Sequence, residues 1–152
     1  MNQNSIILVF LIAFLFTNCK NETIKKADTI FEKQSPKVMD ENFVTFLNNF
    51  SRDSIFQISR IKFPLKIKEI DNENMIQLIE KTIPKSEYSK LDFTYSKDAL
   101  TRELDRYSQK IVFKNNIAVV EIRGVDNGIY SDFSFEKIDG KWFLKTWKDQ
   151  SN

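Results

Sequence analysis

The clearest pattern in the chain runs from Asp40 to Ile70. Phe43, Phe46, Leu47 and Phe50 recur at i, i+3, i+4 and i+7 between polar residues, which predicts a helix with one aromatic side. Asp40 stands where it can cap that helix, and Asp53 or Ser51 where it can cap a second, short one through Phe56 and Ile58. From Arg60 the period changes to two. Ile61, Phe63, Leu65 and Ile67 alternate with Lys62, Pro64, Lys66 and Lys68, which predicts a strand with one buried and one basic face. Pro64 has no N–H for a ladder, so the strand belongs at a sheet edge or carries a bulge.

Asp71-Asn72-Glu73-Asn74 has turn chemistry, and Met75 to Ile83, which fits a helical stripe about as well as a strand, is read as the hairpin partner of the first strand. Pro84 opens a short helix through Tyr88. Leu91, Phe93 and Tyr95 alternate as an extended segment, and Asp98 can cap a helix through Leu100 and Leu104 to Tyr107. Four strands close the chain: Lys110 to Phe113, Ile117 to Arg123, Ile129 to Ile138 and Lys141 to Lys148. Asn115-Asn116, Asp126-Asn127-Gly128 and Asp139-Gly140 separate them, which gives an antiparallel meander. Phe133, Phe135, Trp142 and Leu144 form the expected inward set, with Trp147 on the opposite face by period two. The expected class is α+β, with N-terminal helices packed on a curved antiparallel sheet.

Composition changes the picture at the N-terminus. The first eighteen residues carry no charged side chain, and Ile6 to Phe16 form an apolar run of about eleven residues, shorter than the roughly twenty of a spanning helix. The sole cysteine, Cys19, follows directly, in the position of a lipidated residue after a signal peptide spanning 1–18. The expected organisation is therefore a lipoprotein signal, a polar tether over 19–37 and one α+β domain over 38–150. The implied place is the bacterial cell envelope, with the acylated Cys19 in a membrane. An apolar fraction of 41% with 14 Phe suits one core in 152 residues. A net charge of +2 is too weak to argue for nucleic acid, and none is expected as a partner.

Asp40 to Asp149 also resembles a known family. Phe56-Gln57-Ile58-Ser59-Arg60-Ile61-Lys62-Phe63-Pro64-Leu65 and Phe135-Glu136-Lys137-Ile138-Asp139-Gly140-Lys141-Trp142 look like a family of uncharacterised bacterial lipoproteins. Its members have the cone-shaped fold of nuclear transport factor 2, also called cystatin-like. The resemblance implies a fold and a location and carries no activity with it.

The chemistry is bounded by what the chain lacks. It has no histidine, so Ser-His-Asp, Cys-His and His-metal sites are excluded. Its three glycines form no phosphate loop. No catalytic residue, metal site or cofactor is expected. The leading expectation is a non-enzymatic lipoprotein that binds a small apolar or anionic ligand, or an envelope protein, on the concave sheet face. Arg60, Phe63, Glu121, Tyr130 and Trp142 are the candidate binding residues. Arg60 reads either as a cation in the mouth of the cone or as a structural group that caps helix carbonyls or pairs with an acid. Phe63 and Trp142 read as ligand platform or as core. An inward Glu121 would be a base with a raised pKa, whereas an outward one would pair with a cation. The first alternative is an isomerase or hydrolase-like enzyme that uses a buried carboxylate (Asp92, Asp105, Glu121 or Asp132) with a tyrosine (Tyr88, Tyr95, Tyr107 or Tyr130). The second is an assembly factor that forms a homodimer through the edge strand carrying Pro64.

Overall fold

The computed structural model describes residues 39–152; the expected signal peptide, Cys19 and the expected tether over 19–37 lie outside the described residues. Helix α1, Phe43–Arg52, buries Phe43, Phe46, Leu47 and Phe50 as its apolar stripe requires. Its cap is Asn42, whose side chain accepts from Thr45 N at 3.1 Å. Asp40 lies too far upstream to reach the first-turn N–H groups and instead binds Lys137 Nζ at 2.8 Å. Asp53 ends α1 and caps α2, Ser54–Ser59, taking the N–H groups of Ile55 and Phe56 at 2.9 and 3.0 Å.

Strand β1, Ile61–Ile70, keeps its predicted alternation, with Ile61, Leu65 and Ile67 buried and Lys62, Lys66 and Lys68 exposed. It pairs antiparallel with β2, Leu78–Ile83, so the Met75 to Ile83 segment supplies a hairpin partner. The meander forms from β3 (Tyr107–Lys114), β4 (Ile117–Gly124), β5 (Tyr130–Ile138) and β6 (Lys141–Asp149). Asn115, Asp126 and Asp139 adopt positive φ, and Gly140 follows Asp139 at 74°, the backbone that tight hairpin turns demand.

All six strands form one curved sheet in the order β2-β1-β6-β5-β4-β3. The edge placement of β1 is thus corrected, because the last strand, β6, returns to lie parallel to it. The bulge placement describes Pro64. Ile61 pairs with Leu144 and Lys66 with Thr146, so β1 advances five positions while β6 advances two, and Pro64 falls inside the slip.

Two further expectations are overturned. No helix follows Asp98: Leu100 and Leu104 are exposed, Asp98 is engaged by the Ser96 hydroxyl, and Asp105 turns the chain at φ 52°. A stripe of two leucines with no apolar surface beneath it lacks the packing that stabilises a short helix. The extended segment around Phe93 is held from both sides, its N–H donating to Ser51 Oγ at 3.0 Å and its carbonyl accepting from Gln109 Nε2 at 2.9 Å. Trp147, expected on the opposite face, shares the inner face with Trp142 and Leu144. Ser134 pairs with Thr146 but Phe135 with Leu144, so Lys145 is an extra residue and the period-two count reverses at that point. Trp147 stacks on Phe133 at 5.3 Å and 20°.

The inner face, where the helices lie, is packed solid beneath α1. Phe43, Phe46 and Phe50 meet Phe135 at centroid distances of 5.4, 5.6 and 5.4 Å, and Phe93 meets Phe133 at 4.8 Å. This aromatic layer fills the space between the buried side of α1 and the sheet.

Candidate functional site, a recess beside Trp147

Beyond the reach of α1 the inner face opens. Successive cross-strand pairs bring Ile67 beside Trp147 and Glu69 beside Asp149, residues some eighty positions apart in the chain. The turn after β1 rises alongside. Glu73 N and Ile76 N donate to Asp71 Oδ1 and Asn74 Oδ1, and Asp71 N to Gln77 O, which presents Met75 62% exposed. These groups, with Ser151 near the C-terminus, line a recess of ≈ 370 Å³.

Its chemistry is two-sided. Ile67, Met75 and the Trp147 ring are apolar, while Glu69 is paired with Lys81 and Asp149 Oδ1 accepts from Ser131 Oγ at 3.2 Å and Ser151 N at 2.9 Å. Trp147 Nε1 is buried and has no hydrogen-bond partner among the described residues. An orphaned donor of this kind costs about 1–3 kcal/mol.

The five candidate binding residues are placed in three different surroundings. Arg60 and Trp142 come together in a latch with Glu41. Arg60 binds both carboxylate oxygens at 3.1 and 3.0 Å, Glu41 Oε2 accepts from Trp142 N at 2.8 Å, and Trp142 Nε1 donates to Glu41 O at 3.0 Å. The guanidinium also lies over the Phe56 ring at 4.7 Å. Glu121 and Tyr130 both flank Arg123 on the outer face. Arg123 binds Asp132 at 2.6 Å, lies 3.9 Å from Glu121, and covers the Tyr130 ring at 3.8 Å. Ala118 and Val120 take the inward positions of β4, so Glu121 points outward and is no buried base. Phe63 lines a separate cleft of ≈ 270 Å³ with Pro64, Phe143 and Lys66, where β1 and β6 separate.

The carboxylate–tyrosine reading finds no hydrogen-bonded pair among the described residues. Tyr88 donates to Gln57 Oε1 at 2.6 Å, and burial pushes its pKa far above the ordinary phenol value, which holds it protonated. Tyr95 donates to Tyr107 O at 3.3 Å. Asp92 is held below the usual carboxylate range by the hydroxyl and N–H of Thr94, the opposite of what a general acid needs. Asp105 is a turn residue whose carbonyl accepts from Arg102. Among the described residues no group of three or more Asp, Glu, His or Cys is arranged for a metal, and no helix is long and apolar enough to cross a membrane.

Three residues escaped the sequence reading. Glu41 looked like one polar position of an amphipathic helix, and Asp149 lay just past the expected last strand, Lys141 to Lys148. Gln57, fully buried, donates to Phe50 O and Leu91 O at 2.5 and 2.7 Å and accepts from Leu91 N and Tyr88 Oη at 2.9 and 2.6 Å. Its place within the quoted Phe56 to Leu65 motif was the available signal.

A family model described as a domain of unknown function, DUF4348, matches residues 13–149. Among solved structures, the chain is similar to an NTF2-like protein from Bacteroides fragilis, at 22% identity and a TM-score of 0.54, over 74% of this chain and 48% of that one. It therefore spans about half of that protein's length. It is also similar to a protein from Bacteroides uniformis (28%, TM-score 0.50, 71% and 76% covered) and to a cystatin-like protein from Bacteroides caccae (28%, 0.49, 76% and 77%). The Bacteroides fragilis likeness shows the fold alone. No curated protein matches the chain.

Proposed function

The chain belongs to the DUF4348 family, a domain of unknown function, and from that premise we propose a lipid-anchored, non-enzymatic protein of the bacterial envelope that binds a small, largely apolar ligand beside Trp147. The observation that carries the binding is an inner-face recess lined by Ile67, Met75 and Trp147, whose Nε1 is buried and unpartnered among the described residues. Ile67, Met75 and the indole offer an apolar bed, and Lys68, Glu69 and Asp149 bring both signs of charge to its rim. The apolar half of the sequence expectation is the one this bed fits.

N-phenyl-1-naphthylamine, a neutral apolar fluorophore, serves as the probe of the apolar bed. Its emission rises on entering the recess of the full chain, and Met75→Lys, a change at an exposed turn, lowers that signal by about tenfold through a charge placed in the apolar bed. An emission that Met75→Lys leaves unchanged sinks the reading.

Anchoring rests on Cys19 standing directly after the Ile6 to Phe16 apolar run. Cys19→Ala abolishes incorporation of labelled palmitate and releases the protein from membranes, since acyl chains supply about 0.8 kcal/mol per buried methylene. A variant that stays membrane-bound without label removes the lipoprotein assignment and leaves the recess untouched.

A further inference from the structure

A second cavity lies on the outer face of the sheet, where β1 parts from β6. Ile61 pairs with Leu144 and the next pair is Lys66 with Thr146, so four residues of β1 stand against one of β6. That one residue, Lys145, is also the extra residue in the ladder with β5. The sheet is therefore interrupted on both sides of Lys145, and a cleft of ≈ 270 Å³ opens there.

Period two fixes which groups face it. Trp142 and Leu144 are buried in the core, so Phe143 between them points outward, together with its cross-strand partner Glu136 and with Ile138 two residues on. Pro64 stands between Phe63, which packs edge-on against Tyr88 at 5.4 Å, and the buried Leu65, and it also faces outward. Pro64, Ile138 and Phe143 thus make an apolar floor on a face whose other β1 positions are lysines.

The rim is cationic, with Lys62, Lys66 and Lys145 against one acid, Glu136. Lys145 is held by that acid at 2.9 Å. Lys62 and Lys66 are exposed and make no ion pair among the described residues, and across the β1–β2 ladder Lys66 meets Thr82. The two flank Pro64 on its own side of the strand, and their four-carbon stems let either ammonium bend over the floor.

We propose that this cleft binds a small organic carboxylate with a flat apolar body. The body lies on Pro64 and Phe143, and the carboxylate takes Lys62 and Lys66. A bare inorganic anion would leave the apolar floor in water, and a neutral ring would gain nothing from the two lysines. The volume lies at the small end of ligand pockets, which run from about 300 Å³ upward, and suits one or two rings. Both lysines are solvated, so each contact adds modestly to affinity and mainly selects for charge, while the floor supplies the rest. No residue is shared with the recess beside Trp147, so this site is independent of the one proposed there.

The probe is 2-naphthoate, compared with 2-naphthamide, which has the same two-ring body without the charge. Each is titrated into the nitrogen-15-labelled full chain in mild detergent, and amide chemical shifts report where it binds. Naphthoate is expected to shift the amides of Phe63, Lys66, Phe143 and Lys145, and naphthamide to bind at least about fivefold more weakly. Lys62→Glu with Lys66→Glu, at two exposed positions, weakens naphthoate by at least about tenfold, and Lys62→Gln with Lys66→Gln, which removes the charges without reversing them, by about fivefold. An absence of shifts at these amides at millimolar naphthoate, shifts confined to the recess beside Trp147, equal affinity for the amide, or a glutamine variant that binds like the parent overturns the proposal.

Discussion

Gln57→Leu lowers the stability of the domain by about 3 kcal/mol, although leucine has nearly the volume of glutamine and leaves no sizeable cavity. The loss comes from what the amide holds together. Its two N–H groups take the carbonyls of Phe50, in the last turn of α1, and of Leu91, at the start of the extended segment that leads to Phe93. Its oxygen takes the Leu91 N–H and the Tyr88 hydroxyl. A leucine strands two donors and two acceptors in a region from which water is excluded, and each buried orphan costs about 1–3 kcal/mol. Chemical unfolding checks this: the denaturation midpoint falls, and the slope, which reports surface exposed on unfolding, stays the same. A loss below about 1 kcal/mol would mean that the segment from Tyr88 to Phe93 is held by Phe93 packing alone.

That network also marks where sequence reading stops. The aromatic stripe of α1, the alternation of β1 and the Asp139-Gly140 turn are local signals, and each became the element its pattern implies. Several of the errors involve partners distant in the chain. The edge placement of β1 failed because its second neighbour, β6, begins at Lys141, some seventy residues beyond the end of β1. Trp147 was sent to the wrong face because one bulged residue, Lys145, reverses a period-two count and leaves no trace in composition. The recess was invisible for the same reason: Ile67 and Trp147, or Glu69 and Asp149, become neighbours only through the parallel pairing of β1 with β6. Arg60 was recognised as the charged residue to watch, but its partner Glu41 read as a solvated helix position. Gln57 is one of several polar residues in its motif, and only burial reveals that all four of its hydrogen-bonding positions are used.

Arg60→Met destabilises the chain by about 2 kcal/mol, and a double-mutant cycle with Glu41→Met returns a coupling energy of about 1–2 kcal/mol. The forked guanidinium is engaged from several directions. Both terminal nitrogens bind Glu41, one of them also reaches Trp142 O at 3.2 Å, and the rings of Phe56 and Phe143 lie 4.7 and 5.5 Å from its centre. With side-chain exposures of 14% and 22%, the pair is shielded enough from solvent to exceed a surface ion pair. Arg60→Met alone leaves the Glu41 carboxylate half-buried with only the Trp142 N–H to stabilise it, and that is where the loss arises. In the double variant the stranded charge is gone, so part of the stability returns. The latch ties Glu41, just upstream of α1, to the helix-to-strand junction at Arg60 and to the start of β6, adding side-chain contacts to the backbone bonds from Leu144 N to Arg60 O and from Glu41 N to Gly140 O. A cation held ready for an anionic ligand behaves differently: with no protein carboxylate to neutralise, its removal leaves thermal stability unchanged and shows no coupling to Glu41. Calorimetry on the four members of the cycle separates these outcomes, and an additive pair would return Arg60 to the list of ligand-binding groups.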